Sequence, residues 1–191
     1  RLPFYGSVVV CADDAEALTL SKDFSRSVLT YGYAEQAQFR ATNVQSRGQQ
    51  WTFTVSRGAF AGPLDVRINL PGHQNVMNAL AAIAVATEEG IDDAAILTGL
   101  NAFAGVGRRF QVIETVTVDD MPVALVDDYG HHPTEVEAVI QTAREVWPER
   151  RLAMVYQPHR YSRTQDLFDD FVRVLAAVDA FLLLDVDAAG E

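Results

Sequence analysis

The chain of 191 residues is 49% hydrophobic, so it is long and apolar enough to bury a core. Its 26 acidic against 15 basic residues give a formal net charge of -11, which argues against nucleic acid or an anionic membrane as the main partner. No apolar run approaches the ~18 residues of a membrane span, and a single cysteine, Cys11, excludes an internal disulfide and favours a reducing cytoplasm.

The first part of the chain predicts mostly strands. Short β-branched runs over residues 7–12 and 28–31 each indicate a buried strand. Apolar and polar residues alternate on both sides of Gly48, which predicts an antiparallel hairpin, and "PLDVRINL" predicts a further strand.

Helices are predicted after Pro71. The run "NVMNALAAIAVATEEG" is apolar almost all round and ends at Gly90, as expected of a buried helix with a C-terminal glycine cap. A shorter helix follows, and either Asp92 or Asp93 is expected to cap it.

The last part of the chain alternates strands and helices. The runs "MPVALVDDY", "RLAMVYQP" and "AFLLLDV" predict strands, the last of them central and buried. Pro133 opens one intervening helix, and residues 162–178 form the other, with Ser162 and Gln165 as a candidate capping box. This order is typical of a right-handed, Rossmann-like parallel α/β layer.

The predicted fold is therefore α/β with two domains. We place the boundary near residues 111–114, so that residues 1–111 form one domain and residues 112–191 begin another. No covering helix follows the last strand, and we expect the second domain to be cut short.

Two polar clusters, "DDYGHHPTE" and "QPHRYSRT", follow predicted strands. Ligands in parallel α/β folds gather at the carboxyl ends of strands, because loops and helix N-termini converge there. We therefore expect both clusters to contribute to one site.

The first cluster contains the adjacent histidines His131 and His132. Neighbouring side chains point in different directions, and no cysteine cluster or H-E-x-x-H accompanies them, so a metal site is disfavoured. His132 precedes Pro133 at a helix start and is expected to cap or pack there. His131 is expected to project into the strand-end cleft with Asp128 and Tyr129.

The second cluster contains Arg160 and Arg163, three residues apart at a predicted helix start. Two guanidiniums beside the positive end of a helix dipole form a receptor for a carboxylate or phosphate. The alternative is a pair of solvated surface arginines.

Two further pairs of residues carry weaker signals. Arg108 and Arg109 either contact a ligand or bridge the domains through surface ion pairs. Asn75 and Asn78 either cap a helix or present amides to a purine edge. The only lysine, Lys22, lies in no phosphate-binding loop of the G-x-x-x-x-G-K-[ST] type.

Five stretches resemble the Mur ligase family, the ATP-dependent amino-acid ligases of peptidoglycan precursor synthesis and hence of cell-wall biogenesis. They are "LPFYGSVVVCADD", "LPGHQNVMNALAAIAVATEEGIDD", "FAGVGRRFQ", "VDDYGHHPTEV" and "QPHRYSRTQDLFDDF". Within the family, the chain resembles the branch that joins L-alanine to UDP-N-acetylmuramate. The resemblance implies that residues 1–111 end the central ATP-binding domain and that residues 112–191 begin the amino-acid-binding C-terminal domain.

The resemblance also implies a reaction. ATP phosphorylates the carboxylate of UDP-N-acetylmuramate, and the amine of L-alanine then attacks the acyl phosphate. The UDP-binding domain, the phosphate loop and the Mg²⁺ ligands are expected upstream of Arg1. We therefore expect this chain to be inactive by itself.

Two groups of site residues follow from the resemblance. Four residues are expected to meet ATP. Asn75 and Asn78 would contact adenine, Arg109 would lie near the nucleotide, and Asp128 would lie near its ribose. Those expected to line the L-alanine pocket are Tyr129, His131, Arg160 and Arg163. The two arginines of the second group would hold the alanine carboxylate. Gln74 occupies the usual place of a family histidine, so any contact of that histidine is left open.

Two other functions stay open. One is the ligase that attaches a recycled tripeptide to the same sugar, although "QPHRYSRT" and Tyr129 favour the alanine enzyme. The other is a non-catalytic nucleotide-binding module, which the missing lysine loop supports for this stretch alone. A "GTHGKTT"-like sequence upstream would favour the enzyme.

Overall fold

A computed structural model describes residues 6–191, so residues 2–5 of the "LPFYGSVVVCADD" motif lie outside the described part. The chain divides into two compact units, Arg1–Ala104 and Gly105–Glu191. This division lies upstream of the predicted boundary near residues 111–114. The predicted α/β class is confirmed, because helices and strands are combined in both units.

The first unit contains one mixed sheet. Its described strands are β1 (Val8–Cys11), β2 (Val28–Gly32), β3 (Phe39–Arg47), β4 (Gln50–Ser56) and β5 (Leu64–Ile68), in that spatial order. The first three run parallel, and the last three form antiparallel pairs. Arg47 pairs with Gln50 across Gly48, so the predicted hairpin is confirmed.

The described helices of the first unit are α1 (Ala15–Ser21), α2 (His73–Glu88) and α3 (Asp93–Ala102). α1 was not predicted, although Asp14 caps it by accepting hydrogen bonds from two backbone N–H groups. Asp92, rather than Asp93, caps α3 by accepting from the Ala95 N–H at 2.9 Å. Gly90, with φ +72°, follows the end of α2 as predicted for a C-terminal glycine cap.

α2 packs against the sheet and closes the core of this unit. Its Val76, Leu80 and Ile83 are fully buried, as are Phe39 and Val55 of the sheet. Each such side chain contributes about 1.5–3 kcal/mol by leaving water, so this cluster accounts for much of the unit's stability.

One charged side chain is buried beside that core. The side chain of Arg57 is 2% exposed, and its guanidinium donates to both carboxylate oxygens of Asp93, at 2.6 and 2.8 Å. Its Nε donates to the Gly62 carbonyl at 2.8 Å. The hydrogen bonds from Arg57 hold the pKa of Asp93 below its ordinary value. Arg57 is thus a structural cation that ties β4 to α3.

The second unit contains two small sheets. Its described elements are β6 (Gln111–Val118), β7 (Met121–Asp127), α4 (Pro133–Val146), β8 (Ala153–Tyr156), α5 (Tyr161–Asp166), α6 (Phe168–Leu175) and β9 (Ala180–Leu183). β6 and β7 are antiparallel, whereas β8 and β9 are parallel.

The predicted three-stranded parallel layer is wrong in one respect. In the described part of the chain β7 pairs with β6 and not with β8. Asp119 and Asp120, with φ values of 48° and 61°, form the tight two-residue turn that pairs β7 with β6. β9 is also exposed along its length rather than central and buried.

The predicted helix over residues 162–178 is two helices, because the backbone of Leu167 departs from helical geometry between α5 and α6. The predicted capping box is also wrong. α5 begins at Tyr161, which places Ser162 inside the first turn rather than at the cap. The backbone N–H and the hydroxyl of Ser162 both donate to the Glu191 carboxylate instead.

The core of the second unit is small. Its buried members come from α4, β8 and α6, and they are Val136, Ile140, Tyr156, Phe171 and Val174. Tyr156 is the last residue of β8, so this core reaches the end of that strand, where the second polar cluster begins.

Candidate functional site at the strand ends of the second unit

Asp128 organises the loop that follows β7. One carboxylate oxygen accepts from the Phe110 N–H at 2.7 Å, and the other accepts from the Gly130 N–H at 2.6 Å. The Tyr129 N–H in turn donates to the Arg108 carbonyl at 2.8 Å. These bonds fasten the "GRRF" segment to the end of β7. Sequence reasoning missed this role of Asp128, because its partner Phe110 is distant along the chain.

His132 is the N-cap of α4. Its Nδ1 accepts from the Thr134 N–H at 3.3 Å, and Glu135 accepts from the His132 N–H, also at 3.3 Å. This reciprocal arrangement is a capping box. The predicted structural role of His132 is therefore confirmed, and its ring nitrogen is occupied by the helix start.

Glu135 connects the histidine pair to the arginine segment. Its Oε2 accepts from the His131 N–H at 3.0 Å, and its Oε1 lies 3.2 Å from Nη1 of Arg109. Burial raises the pKa of Glu135, but the hydrogen bond from His131 and the nearby Arg109 outweigh burial and place this pKa below its ordinary value. Glu135 is therefore ionised at neutral pH and holds Arg109 beside the loop.

Three rings meet where β7 and β8 end. His131 packs edge-on against Tyr129 at 5.3 Å between ring centroids, and its Nδ1 lies 3.1 Å from the Tyr129 carbonyl oxygen. The ring of His159, which follows β8, lies 6.3 Å from His131 and 6.5 Å from Tyr129. The two polar clusters therefore converge as predicted. His159 was missed as a member of the cluster, although it lies within the "QPHRYSRT" stretch.

The two arginines that were predicted to form a fork have different environments. Arg163 is half-buried, and its Nη1 is buried without a hydrogen-bond partner among the described residues. Arg160 is exposed, and its backbone has φ +71° immediately before α5. A buried unpaired donor is costly unless a ligand or water satisfies it. Arg163 is therefore the better placed of the two to meet an anion.

The arginine pair of the "GRRF" segment makes its contacts inside the second unit. Nε of Arg108 lies 3.4 Å from Asp127, and its guanidinium lies over the Tyr129 ring at 4.8 Å from the centroid. Arg109 pairs with Glu135. Both arginines thus form surface ion pairs, as the alternative expected, with partners in the second compact unit.

Asn75 and Asn78 lie in the first unit, on the first two turns of α2. The helix begins at His73 and its N-cap is Gly72, so neither asparagine caps it. The Asn75 amide donates to the Pro71 carbonyl at 2.7 Å, and the Asn78 amide lies 3.5 Å from the Asn75 side-chain oxygen. The capping alternative is thus wrong, and the two amides lie side by side on the helix.

The residue before Gln74 is itself a histidine. His73 Nδ1 lies 2.9 Å from the Tyr33 hydroxyl, and its ring packs edge-on against Trp51 at 4.6 Å between centroids. His73 is thereby held against strand residues of the first unit.

Within residues 6–191, no group of three or more histidine, cysteine, aspartate or glutamate side chains has the geometry to hold a metal ion. None of the helices over those residues combines the length and the hydrophobicity that a bilayer crossing requires.

Two family models match the chain. The Mur ligase middle domain matches residues 1–86, and the Mur ligase, glutamate ligase domain matches residues 108–191. The two matches fall in the first and the second compact unit, respectively.

Solved structures of Mur ligases are also similar. UDP-N-acetylmuramate-alanine ligase MurC from Thermotoga maritima is 28% identical, with a TM-score of 0.74, over 96% of this chain and 38% of that one. MurF ligase from Thermotoga maritima, solved in complex with ADP, is 17% identical, with a TM-score of 0.71, over 95% of this chain and 40% of that one. Murein peptide ligase Mpl from Psychrobacter arcticus is 21% identical, with a TM-score of 0.62, over 96% and 44%. This chain spans less than half the length of each.

Proposed function

Because this chain belongs to the Mur ligase family, a family of ATP-dependent ligases, we propose that it contributes to joining L-alanine to the carboxylate of UDP-N-acetylmuramate. The likeness to MurC at 28% identity supports this branch, since the likenesses to MurF and Mpl lie at 17% and 21% and concern the fold alone. Cys11 is free, which suits the reducing cytoplasm in which we propose that the protein acts.

The observation that carries the proposal is the unpaired, buried Nη1 of Arg163, four residues along the chain from His159 of the ring cluster. A guanidinium donates to carboxylates in a fixed fork geometry, so a free amino acid offers the acceptor that this nitrogen lacks. In our proposal Arg163 holds the alanine carboxylate with Arg160. Tyr129 and His131 line the remainder of the pocket.

The nucleotide would be held by a second group of residues. We propose that the side-by-side amides of Asn75 and Asn78 face adenine, because an amide offers a donor and an acceptor to a purine edge. Arg109, which Glu135 holds in place, would lie near the nucleotide, and Asp128 would face ribose. ATP with Mg²⁺ supplies the phosphoryl group that activates the sugar carboxylate. We assign the Mg²⁺ ligands to sequence outside these residues.

The proposed pocket would act mainly by positioning. Holding the alanine carboxylate at Arg163 leaves the amine as the end that can reach an acyl phosphate. Fixing a nucleophile in this way lowers the entropic part of the barrier. The rings of Tyr129, His131 and His159 supply walls that limit water around the amine.

The test uses the complete reading frame that contains these residues. We expect ATP-dependent ligation of L-alanine to UDP-N-acetylmuramate, with release of ADP and phosphate, and much weaker use of the tripeptide L-alanyl-D-glutamyl-diaminopimelate. Preferential use of the tripeptide would overturn the alanine assignment. Nucleotide binding without ligation of either substrate would instead favour the non-catalytic module.

A further inference from the structure

The hydroxyl of Tyr156 is a buried polar group without an assigned task. Tyr156 is 7% exposed, and its hydroxyl oxygen is buried with no hydrogen-bond partner among residues 6–191. Buried hydroxyl groups in native proteins nearly always have a partner, and each exception requires an explanation. Neither the core packing of the Tyr156 ring against Phe171, at 5.7 Å, nor any role proposed above requires this oxygen.

The unpaired atoms of the second unit are clustered. The buried side-chain atoms that lack partners in this unit are the Tyr156 hydroxyl, His159 Nδ1 and Arg163 Nη1, as far as the structure describes it. All three belong to the end of β8 and the segment that follows it. A concentration of unsatisfied groups at a strand end is the pattern of a preformed site that a polar ligand completes.

Protein groups near the hydroxyl do not supply its partner. The charges of Arg163 and Glu135 both act on the Tyr156 phenol, but neither side chain forms a hydrogen bond with its hydroxyl. Nη1 of Arg163 is itself unpaired, and the Glu135 carboxylate accepts from Arg109, His131 and His132 instead. Burial raises the pKa of Tyr156 to about 12, so the hydroxyl keeps its proton throughout the physiological range.

We propose that the Tyr156 hydroxyl donates a hydrogen bond to the carboxylate of the amino-acid substrate, which it shares with Arg163. This inference rests on the proposed function and adds a binding residue to its pocket. A carboxylate has about four acceptor positions, enough for a guanidinium and a phenol together, whereas an ammonium group would be repelled by Arg163. The same donor would favour a substrate that presents a carboxylate at this depth over one whose carboxylate is blocked.

The decisive variant is Tyr156→Phe in the protein from the complete reading frame. Phenylalanine preserves the ring and its packing and removes only the oxygen. Losing a hydrogen bond to a charged group should raise KM for L-alanine by about ten- to hundred-fold. KM for ATP should change by less than about two-fold, since the hydroxyl does not face the nucleotide.

Thermal unfolding without ligands gives a second readout, because a ligand-binding hydroxyl and a structural hydroxyl predict different changes in melting temperature. Removing an unpaired buried hydroxyl should leave the melting temperature of the ligand-free protein unchanged or raise it. Saturating L-alanine should then protect the variant less than the wild type, because protection follows affinity. A hydroxyl that merely stabilised the fold would instead lower the melting temperature when removed.

Two further variants separate this inference from the proposed function. Tyr161→Phe removes the hydroxyl of an exposed tyrosine nearby and should leave all KM values unchanged. Arg163→Lys should raise KM for L-alanine. An unchanged KM in Tyr156→Phe alongside a raised KM in Arg163→Lys, or a lower melting temperature in Tyr156→Phe, would overturn the inference and leave the proposed function intact.

The amino substrate itself can also be varied. If the enzyme ligates another amino acid or a peptide in place of L-alanine, a KM for that substrate raised by Tyr156→Phe would support the inference and overturn the alanine assignment. If neither L-alanine nor the tripeptide is ligated, both are overturned.

Discussion

Two arginines in this chain have buried guanidinium nitrogens, and they differ in whether those nitrogens have partners. In the first unit, Arg57 donates to both oxygens of Asp93 and to the Gly62 carbonyl. In the second unit, Arg163 is half-buried, and its buried Nη1 has no partner within the described residues. Since an unpaired buried donor costs free energy, its persistence at a strand end is informative. A satisfied buried arginine indicates structure, and an unsatisfied one indicates a ligand.

The cores of the two units also differ in the polar groups that they contain. The first has a sheet closed by α2, and its main core cluster consists of apolar side chains. The second has a small core, and its last strand residue, Tyr156, brings a polar oxygen into it. We infer that stability was favoured in the first unit, whereas the strand ends of the second retain groups that a substrate must complete.

The largest effect should come from removing the carboxylate partner of Arg57. Asp93→Ala removes a half-exposed carboxylate and leaves the buried Arg57 guanidinium bonded to the Gly62 carbonyl. Removing one partner of a buried pair is strongly destabilising, so the melting temperature of the first unit should fall by roughly 10 °C. Differential scanning calorimetry would measure this change.

A double variant provides the control. Arg57→Met combined with Asp93→Ala removes the charge together with its partner, and should recover part of the lost melting temperature, because an apolar pair can replace a buried ion pair at little cost. If the double variant is less stable than Asp93→Ala, the penalty does not arise from an unpaired charge.

The next effect concerns the unsatisfied arginine. Arg163→Lys keeps the charge but loses the planar fork, so kcat/KM for L-alanine should fall about ten- to hundred-fold. Arg160→Lys should cost less, because Arg160 is exposed whereas Arg163 is half-buried. Neither substitution should change KM for ATP by more than about two-fold.

Steady-state kinetics in the protein from the complete reading frame would decide between the outcomes. Unchanged kcat/KM in both variants would identify the two arginines as solvated surface charges. An equal loss for ATP and L-alanine would point to a phosphate contact instead.

A smaller effect is expected at Asp128. In our proposal it faces ribose, and it also fastens the segment that carries Arg109 through the Phe110 N–H. Asp128→Ala should therefore raise KM for ATP by roughly ten-fold, and KM for L-alanine by less, since Asp128 also holds the loop of Tyr129 and His131 through the Gly130 N–H. The neighbouring Asp127→Ala is the matched control, since Asp127 makes only a surface ion pair with Arg108. A change confined to KM for L-alanine would move Asp128 to the amino-acid site.

The sequence predicted the elements of this fold better than their pairing. Hydrophobic patterns located the hairpin around Gly48 and the two helices after Pro71, because local periodicity reflects local burial. The pairing of β6 with β7 was missed, because it depends on positive φ values at Asp119 and Asp120. Aspartate can adopt that conformation, but in a sequence it is a weaker signal of such a turn than glycine is.

The location of the candidate site was predictable from the sequence, but its hydrogen-bond network was not. The rule that ligands gather at strand ends brought the two polar clusters together, and the structure agrees through the contact of His131 with His159. Hydrogen-bond partners distant in sequence, such as Asp128 with Phe110, were not predictable from spacing. The difference between Arg160 and Arg163 was also hidden, because burial depends on the packing of α5 rather than on residue type.

The smallest predicted effect tests how far the second unit depends on Glu135. Its pKa in the folded protein lies below the ordinary value of 4.5, so ionised Glu135 stabilises the fold above that pH. The contribution is lost as the pH falls through the lowered pKa, because the unfolded chain then binds the proton more readily.

About a third of the Glu135 side chain is exposed, so solvent screening limits the effect to about 0.5 kcal/mol. Glu135→Gln should thus lower the melting temperature slightly at neutral pH, and the difference from wild type should vanish as the pH falls below the lowered pKa. A difference that persists unchanged at low pH would mean that the side chain acts through its shape in the capping box of α4 and not through its charge.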